Sequence, residues 1–148
     1  MNLNSDCKGI ASEAMVEQAL VTIQNTRRNH DVGIASYVHA SRHSDLDRNH
    51  IDFQVNLLSG ERVSIQVKSS DRGKRRFERK LRKSGMFIPV VVVHAGDSLQ
   101  LIVRQVIECI RLAINYLKRK INWHTHIRRS RQMRRNKHFY RPNPAICH

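Results

Sequence analysis

Acidic residues are scarce. The 148-residue chain carries 12 Asp and Glu against 27 Lys and Arg, a formal charge of +15, and no acidic side chain occurs from Lys118 to His148. Such a balance excludes cationic partners and calls for a polyanion. Long apolar runs are also missing: the longest, around Val90–Val93, is far below the roughly 18 residues that a membrane span needs. The three cysteines, Cys7, Cys109 and Cys147, are too few and too scattered for a disulfide framework or a zinc cluster. Their odd number suits reduced thiols in a cytoplasm. The start, Met1–Gly9, is polar rather than a basic stretch followed by an apolar run, so no secretory leader is expected. Internal repeats, Gly/Ser-rich linkers, an ATPase loop and a methyltransferase motif are absent from the sequence. A chain of about 150 residues makes one core, burying roughly 68 to 70% of its unfolded surface. We therefore expect a globular domain over residues 1–122 and a basic arm over 123–148.

What is abundant is positive charge, and it is blocked. Arg72, Lys74, Arg75, Arg76, Arg79, Lys80, Arg82 and Lys83 form one cluster. Lys118, Arg119, Lys120, Arg128, Arg129, Arg131, Arg134, Arg135, Lys137 and Arg141 form the second. Like charges this dense repel one another unless an anion binds them, and phosphate backbones reward each contact with counterion release. A membrane surface fits less well, because the blocks lack the wide Leu or Phe face that interfacial helices bury.

The hydrophobic spacing predicts a helix over 8–28, with Ile10, Ala14, Val16, Ala19, Leu20, Val21 and Ile23 covering most of its circumference and Glu13, Glu17 and Gln24 as a polar stripe. A strand over 33–41 and a polar loop over 42–49 follow. Residues 51–57 and 61–69 alternate strictly. If Leu58, Ser59 and Gly60 form a three-residue loop with Gly60 left-handed, Leu57 pairs with Glu61 and Phe53 with Ile65. Ile51 then meets Val67 on the apolar face, while Asp52 faces Gln66. A two-residue turn would mix the faces. Asp52, Gln66 and Lys68 consequently share one face of a hairpin. Next come a short basic helix over 73–84 anchored by Phe77 and Leu81 and stopped by Gly85, and a buried strand over 86–94. Asp97 or Ser98 caps a helix over 98–117 whose stripe includes Leu99, Ile102, Val106, Ile110 and Leu117. Its first residues, 99–103, also alternate as a strand would.

The order is helix with Glu13, strand, strand with Asp52, strand with Gln66 and Lys68, helix, strand. In this order, and in Lys8-Gly9 followed by Glu13, Asp52 opening the second strand and the triplet Gln66-Val67-Lys68 on the third, the chain resembles the PD-(D/E)XK nuclease superfamily over about residues 8–93. The resemblance implies an α/β fold with a restriction-endonuclease-like αβββαβ core, a mixed sheet flanked by helices, and here a C-terminal helix and basic tail beyond it. It implies metal-assisted phosphodiester hydrolysis in double-stranded DNA, with Asp52, the Gln66 amide oxygen, the Val67 carbonyl and Glu13 as ligands of Mg²⁺, or of Mn²⁺ in its place. Lys68 would orient the attacking water and stabilise charge on the phosphorane. Ile51 replaces the proline of the motif, and Gln66 stands where Asp or Glu is usual. Some branches resembling the Mrr-type restriction enzymes carry Gln there; the amide oxygen still ligates, with one negative charge fewer.

Small size, strong basic charge and Gln66 are similar to the homing endonucleases of this fold encoded in bacterial group I introns, which work as homodimers or homotetramers. Holliday-junction resolvases share the early Gly and Glu. A nuclease fold that binds without cutting and a structural RNA-binding protein are the alternatives from other classes; Glu13 and Asp52 argue against both, since a carboxylate repels phosphate. Docking is assigned to Arg72, Lys74, Arg75, Arg76, Arg79, Lys80, Arg128, Arg129, Arg131, Arg134 and Arg135. Glu17 competes with Glu13, and Asp45 and Asp47 with Asp52. His124 and His126 without Cys or carboxylate partners read as interface or phosphate contacts rather than a zinc site. His50 lies near enough to Asp52 in sequence to touch the cleft. Trp123, Phe139 and Tyr140 pack on the body or contact sugar and bases, with packing favoured for Trp123.

Overall fold

The computed structural model describes the backbone of residues 3–26, 32–41 and 44–139, and the side chains of 8–26, 32–41 and 44–123. The elements are α1 (Leu3–Asn25), β1 (Ile34–His39), α2 (Asp45–Arg48), β2 (Phe53–Leu57), β3 (Arg62–Lys68), α3 (Asp71–Ser84), β4 (Val90–Val92) and α4 (Leu99–Phe139). They form an α/β architecture whose four strands lie in the order β1-β2-β3-β4. The first two pairings are antiparallel and β3 runs parallel to β4. The chain divides into two compact units, Met1–Asn115 and Tyr116–His148.

The hairpin register follows the expected arithmetic, with Phe53 opposite Ile65, Val55 opposite Val63 and Asn56 opposite Arg62. Leu57 N–H donates to the Glu61 carbonyl, and Gly60 takes φ +92°. That is the left-handed conformation which lets a three-residue loop close without a Cβ clash.

Alternation then sorts the side chains. Phe53, Val55, Val63, Ile65 and Val91 join Val16, Leu20 and Ile23 of α1 and Ile102, Val106 and Ile110 of α4 in the main core. On the opposite face, Phe77 and Leu81 of α3 cover Ile88, Val90, Val92 and Ile51. Ile51 therefore departs from the expected pairing with Val67. It precedes the first β2 residue, Phe53, and its side chain belongs to the α3 face.

The helices hold further corrections. Among the described residues of α1, Val16, Ala19, Leu20 and Ile23 are the buried hydrophobics, while Ile10, Ala14 and Val21 are exposed. Within 86–94 just three residues pair as β4, and Met86 and Phe87 stay exposed. The segment read as a loop over 42–49 contains α2, capped by the Ser44 hydroxyl. Helix α3 starts two residues earlier than expected because Ser70 accepts from Gly73 N–H at 3.2 Å, and it ends at Gly85 with φ +67°. Ser98 caps α4 through Leu101 N–H at 3.3 Å, which decides residues 99–103 as helix. That helix runs past the expected end at Leu117 through Phe139. Trp123 is 61% exposed. No helix among the described residues is long and apolar enough to cross a membrane.

Candidate active site

Strand parity and the β2–β3 register bring Asp52 against the end of β3. Its Oδ2 accepts from Val67 N–H at 2.6 Å and from Gln66 Nε2 at 2.5 Å. Burial pushes the Asp52 carboxyl up to about 6. The Val67 N–H and the Lys68 charge pull the other way, and Glu13 adds to the rise. A carboxylate in this position is short of positive charge.

Gln66 is only 4% exposed, and its Oε1 is buried without a hydrogen-bond partner. An orphaned amide oxygen forfeits its desolvation energy. Nitrogen and oxygen of an amide are isosteric, and the choice between them is made by their neighbours. With nitrogen inward, Asp52 gains a donor and the oxygen stays unpaired. With oxygen inward, Asp52 Oδ2, Gln66 Oε1 and the Val67 carbonyl, which now lies 3.4 Å from Nε2, would form an all-oxygen cluster that a hard cation stabilises. The donor set thus fits Mg²⁺ or Mn²⁺. Among the described residues no group of three or more His, Cys, Asp or Glu could hold a metal, so an ion here depends on amide and backbone oxygens.

Lys68, two residues beyond Gln66, is on the same face of β3. Its Nζ lies 5.4 Å from the centroid of the Phe77 ring, and the His50 ring meets that ring edge-on at 6.2 Å. A cation over an aromatic face is held without being neutralised. His50 sits at φ +59° and its Nε2 is 2.8 Å from Lys80 Nζ. It therefore contacts α3 rather than Asp52.

Glu13 arrives from α1. Its Oε2 is 3.0 Å from His39 Nε2, and the His39 ring stacks on Phe53 at 4.5 Å. Glu17, the competitor on the same stripe, is 3.8 Å from His39 Nδ1 and accepts from Tyr37 Oη at 3.4 Å. Gln24 Nε2 donates to the Ala35 carbonyl. The polar stripe of α1 thus fastens the helix to edge strand β1, and Glu13 is the member whose charge acts on Asp52. Asp45 and Asp47 lie on α2.

Neither a protein-family model nor a curated protein nor a solved structure matches the chain.

The remaining assignments divide by location. On α3, Arg72, Arg75, Arg76, Arg79 and Lys80 are exposed. Lys74 instead lines a groove of about 620 Å³ between α3, β4 and α4, where it lies 4.0 Å from Glu78. The side chains of Arg128, Arg129, Arg131, Arg134 and Arg135, with those of His124, His126 and Phe139, lie outside the described residues, and so does Tyr140. A second cleft, lined by Lys8, Ser12, Ser69 and His94, adjoins the residues next to Glu13 and Lys68. Sequence reading missed His39 and this cleft. The available signal for His39 was the match between Tyr37/His39 at strand spacing and Glu13/Glu17 at helix spacing. A bulge between Ile34 and Ser36 obscures the strand parity.

Proposed function

We propose that the protein is a metal-dependent endonuclease of the PD-(D/E)XK type that hydrolyses phosphodiester bonds in double-stranded DNA. The observation that carries this reading is the convergence of Asp52, the orphaned Gln66 amide and Lys68 on one face of one hairpin, beside the row of exposed α3 cations. The element order and the mixed sheet agree with the core of that superfamily.

Asp52, the Gln66 amide oxygen, the Val67 carbonyl and Glu13 would hold the ion. Bound there, Mg²⁺ supplies an acidified water and neutralises charge on the scissile phosphate. Lys68 stabilises the negative charge that builds on the phosphoryl oxygens as the water oxygen adds and the bond to the leaving sugar oxygen breaks. Phe77 keeps its ammonium in place. Arg72, Arg75, Arg76 and Arg79 dock the flanking phosphates. His39 orients Glu13.

Plasmid cleavage with and without Mg²⁺ tests the reading. Lys68→Ala and Asp52→Asn lose cleavage by at least about 100-fold, in the range of removing one charge-stabilising group, while DNA affinity stays near wild type. Wild-type rates in either variant would sink the mechanism. Site-specific cutting by a homo-oligomer, as in intron homing, is the form of the activity we favour, since a double-strand break needs two antiparallel phosphates attacked. A non-catalytic DNA binder is the alternative, favoured by the missing third carboxylate; a resolvase-like enzyme would show itself by preferring branched DNA.

A further inference from the structure

The face that carries Asp52 and Gln66 continues away from the site as a polar surface. Along β2 it presents Gln54 and Asn56, along β3 Ser64 and Arg62, and along β1 Val38 and Ser36, which pair with Gln54 and Asn56. Ser36, Val38 and Arg62 are exposed, and Gln54, Asn56 and Ser64 are half-buried. Helix α3 packs over β3 and β4. The opposite face of β2 and β3, with Phe53, Val55, Leu57, Val63, Ile65 and Val67, is buried.

The side chains here are linked across three strands. Asn56 Nδ2 donates to Ser36 Oγ at 2.8 Å, and its Oδ1 accepts from Arg62 Nε at 3.1 Å. Arg62 is therefore held by its inner nitrogen. The two outer nitrogens of the guanidinium fork are the pair that matches O6 and N7 of guanine in the major groove.

We propose that this sheet face is a base-reading surface for double-stranded DNA, with Arg62 as the reading residue and Asn56 and Ser36 as its positioning residues. The proposal deepens the nuclease reading and rests on it for where the cut falls. Charge selects the occupant: the patch holds a cation and amides, and the exposed cations of α3 follow in the chain directly after Lys68. Shape selects duplex DNA over duplex RNA, because the B-form major groove admits a β-ribbon and the A-form major groove does not. Length fixes the position. Asp52 to Asn56 is four residues of strand, about 13 Å at ~3.3 Å per residue. At ~3.4 Å per base pair, the guanine read by Arg62 lies roughly three to five base pairs from the cut.

The test is a selection from duplex DNA with a randomised core, bound by the full chain in EDTA and sequenced, with cleavage assayed separately in Mg²⁺. Wild type should enrich guanine at one position. Both Arg62→Ala and Arg62→Lys should lose that preference by roughly 5- to 150-fold, the range of one bidentate base contact, with the salt dependence of binding unchanged. Asn56→Ala should lose part of it. Because Arg62 is exposed, its two variants keep the fold. An unchanged preference, an affinity loss equal for all sequences, no binding to duplex DNA, or equal selection from duplex RNA overturns the proposal. Sequence-selective binding that depends on Arg62 without any cleavage would overturn the nuclease reading and leave this surface standing.

Discussion

At the scale of the residue, Asp52 sets function against stability. Its carboxyl titrates in the unfolded chain near the ordinary value of 3.8 and in the folded chain near 6. A pKa raised by folding favours the folded state at low pH, and the advantage is lost as pH rises through this window. Ionising Asp52 at neutral pH costs about 2 to 3 kcal/mol of stability. Asp52→Asn in EDTA should therefore be more stable than wild type by about 1 to 3 kcal/mol at pH 7.5, with the difference vanishing near pH 4. Urea denaturation of the two proteins across that range measures it, and a variant equally or less stable at pH 7.5 contradicts the account. Cys109 is the contrasting buried group: burial pushes its thiol up to about 11, so it is inert as a nucleophile at neutral pH.

At the scale of the element, the β2–β3 hairpin is the part most legible in the sequence. Period-2 alternation and Gly60 determine the register, and the register determines that Asp52 meets Gln66. Other features are hidden for identifiable reasons. Ile51 looks like one more apolar position in the alternation, yet its side depends on the α3 cluster, a contact distant in sequence. Glu13 and Glu17 look like a solvent stripe because pattern alone does not say that an edge strand with Tyr37 and His39 lies across from them. The nitrogen-inward Gln66 amide and its orphaned oxygen are properties of three-dimensional packing that no spacing encodes. The loop itself can be tested. Gly60→Ala forces a Cβ into the left-handed region and should cost roughly 1 to 2 kcal/mol, read as a lowered urea midpoint with an unchanged m-value, while cleavage at low denaturant persists. A change in m would mean that the register, and not only the turn, had given way.

At the scale of the whole molecule, the proposed catalytic residues and most of the positive charge lie in different parts of the chain. Glu13, Asp52, Gln66 and Lys68 all precede α3, whereas twenty of the 27 cations follow Ser70. Truncation after Trp123 should leave the hairpin intact and lower the salt dependence of DNA binding by roughly 0.9 in the slope of log K for each phosphate that the shortened chain no longer neutralises. An unchanged slope in a salt titration would remove the tail from the DNA. Ile102, Val106 and Ile110 of the α4 stripe are fully buried in the main core. That commitment of the α4 stripe to the sheet sets the timing of birth for the protein. During synthesis the β2–β3 hairpin is complete before any α3 cation leaves the ribosome, and its pairing is local and fast. The core under it closes only when Ile110 has emerged. The first 70 residues, near neutral in net charge, thus emerge ahead of the twenty later cations, and the hairpin, marginal on its own, is locked only when α4 closes the core.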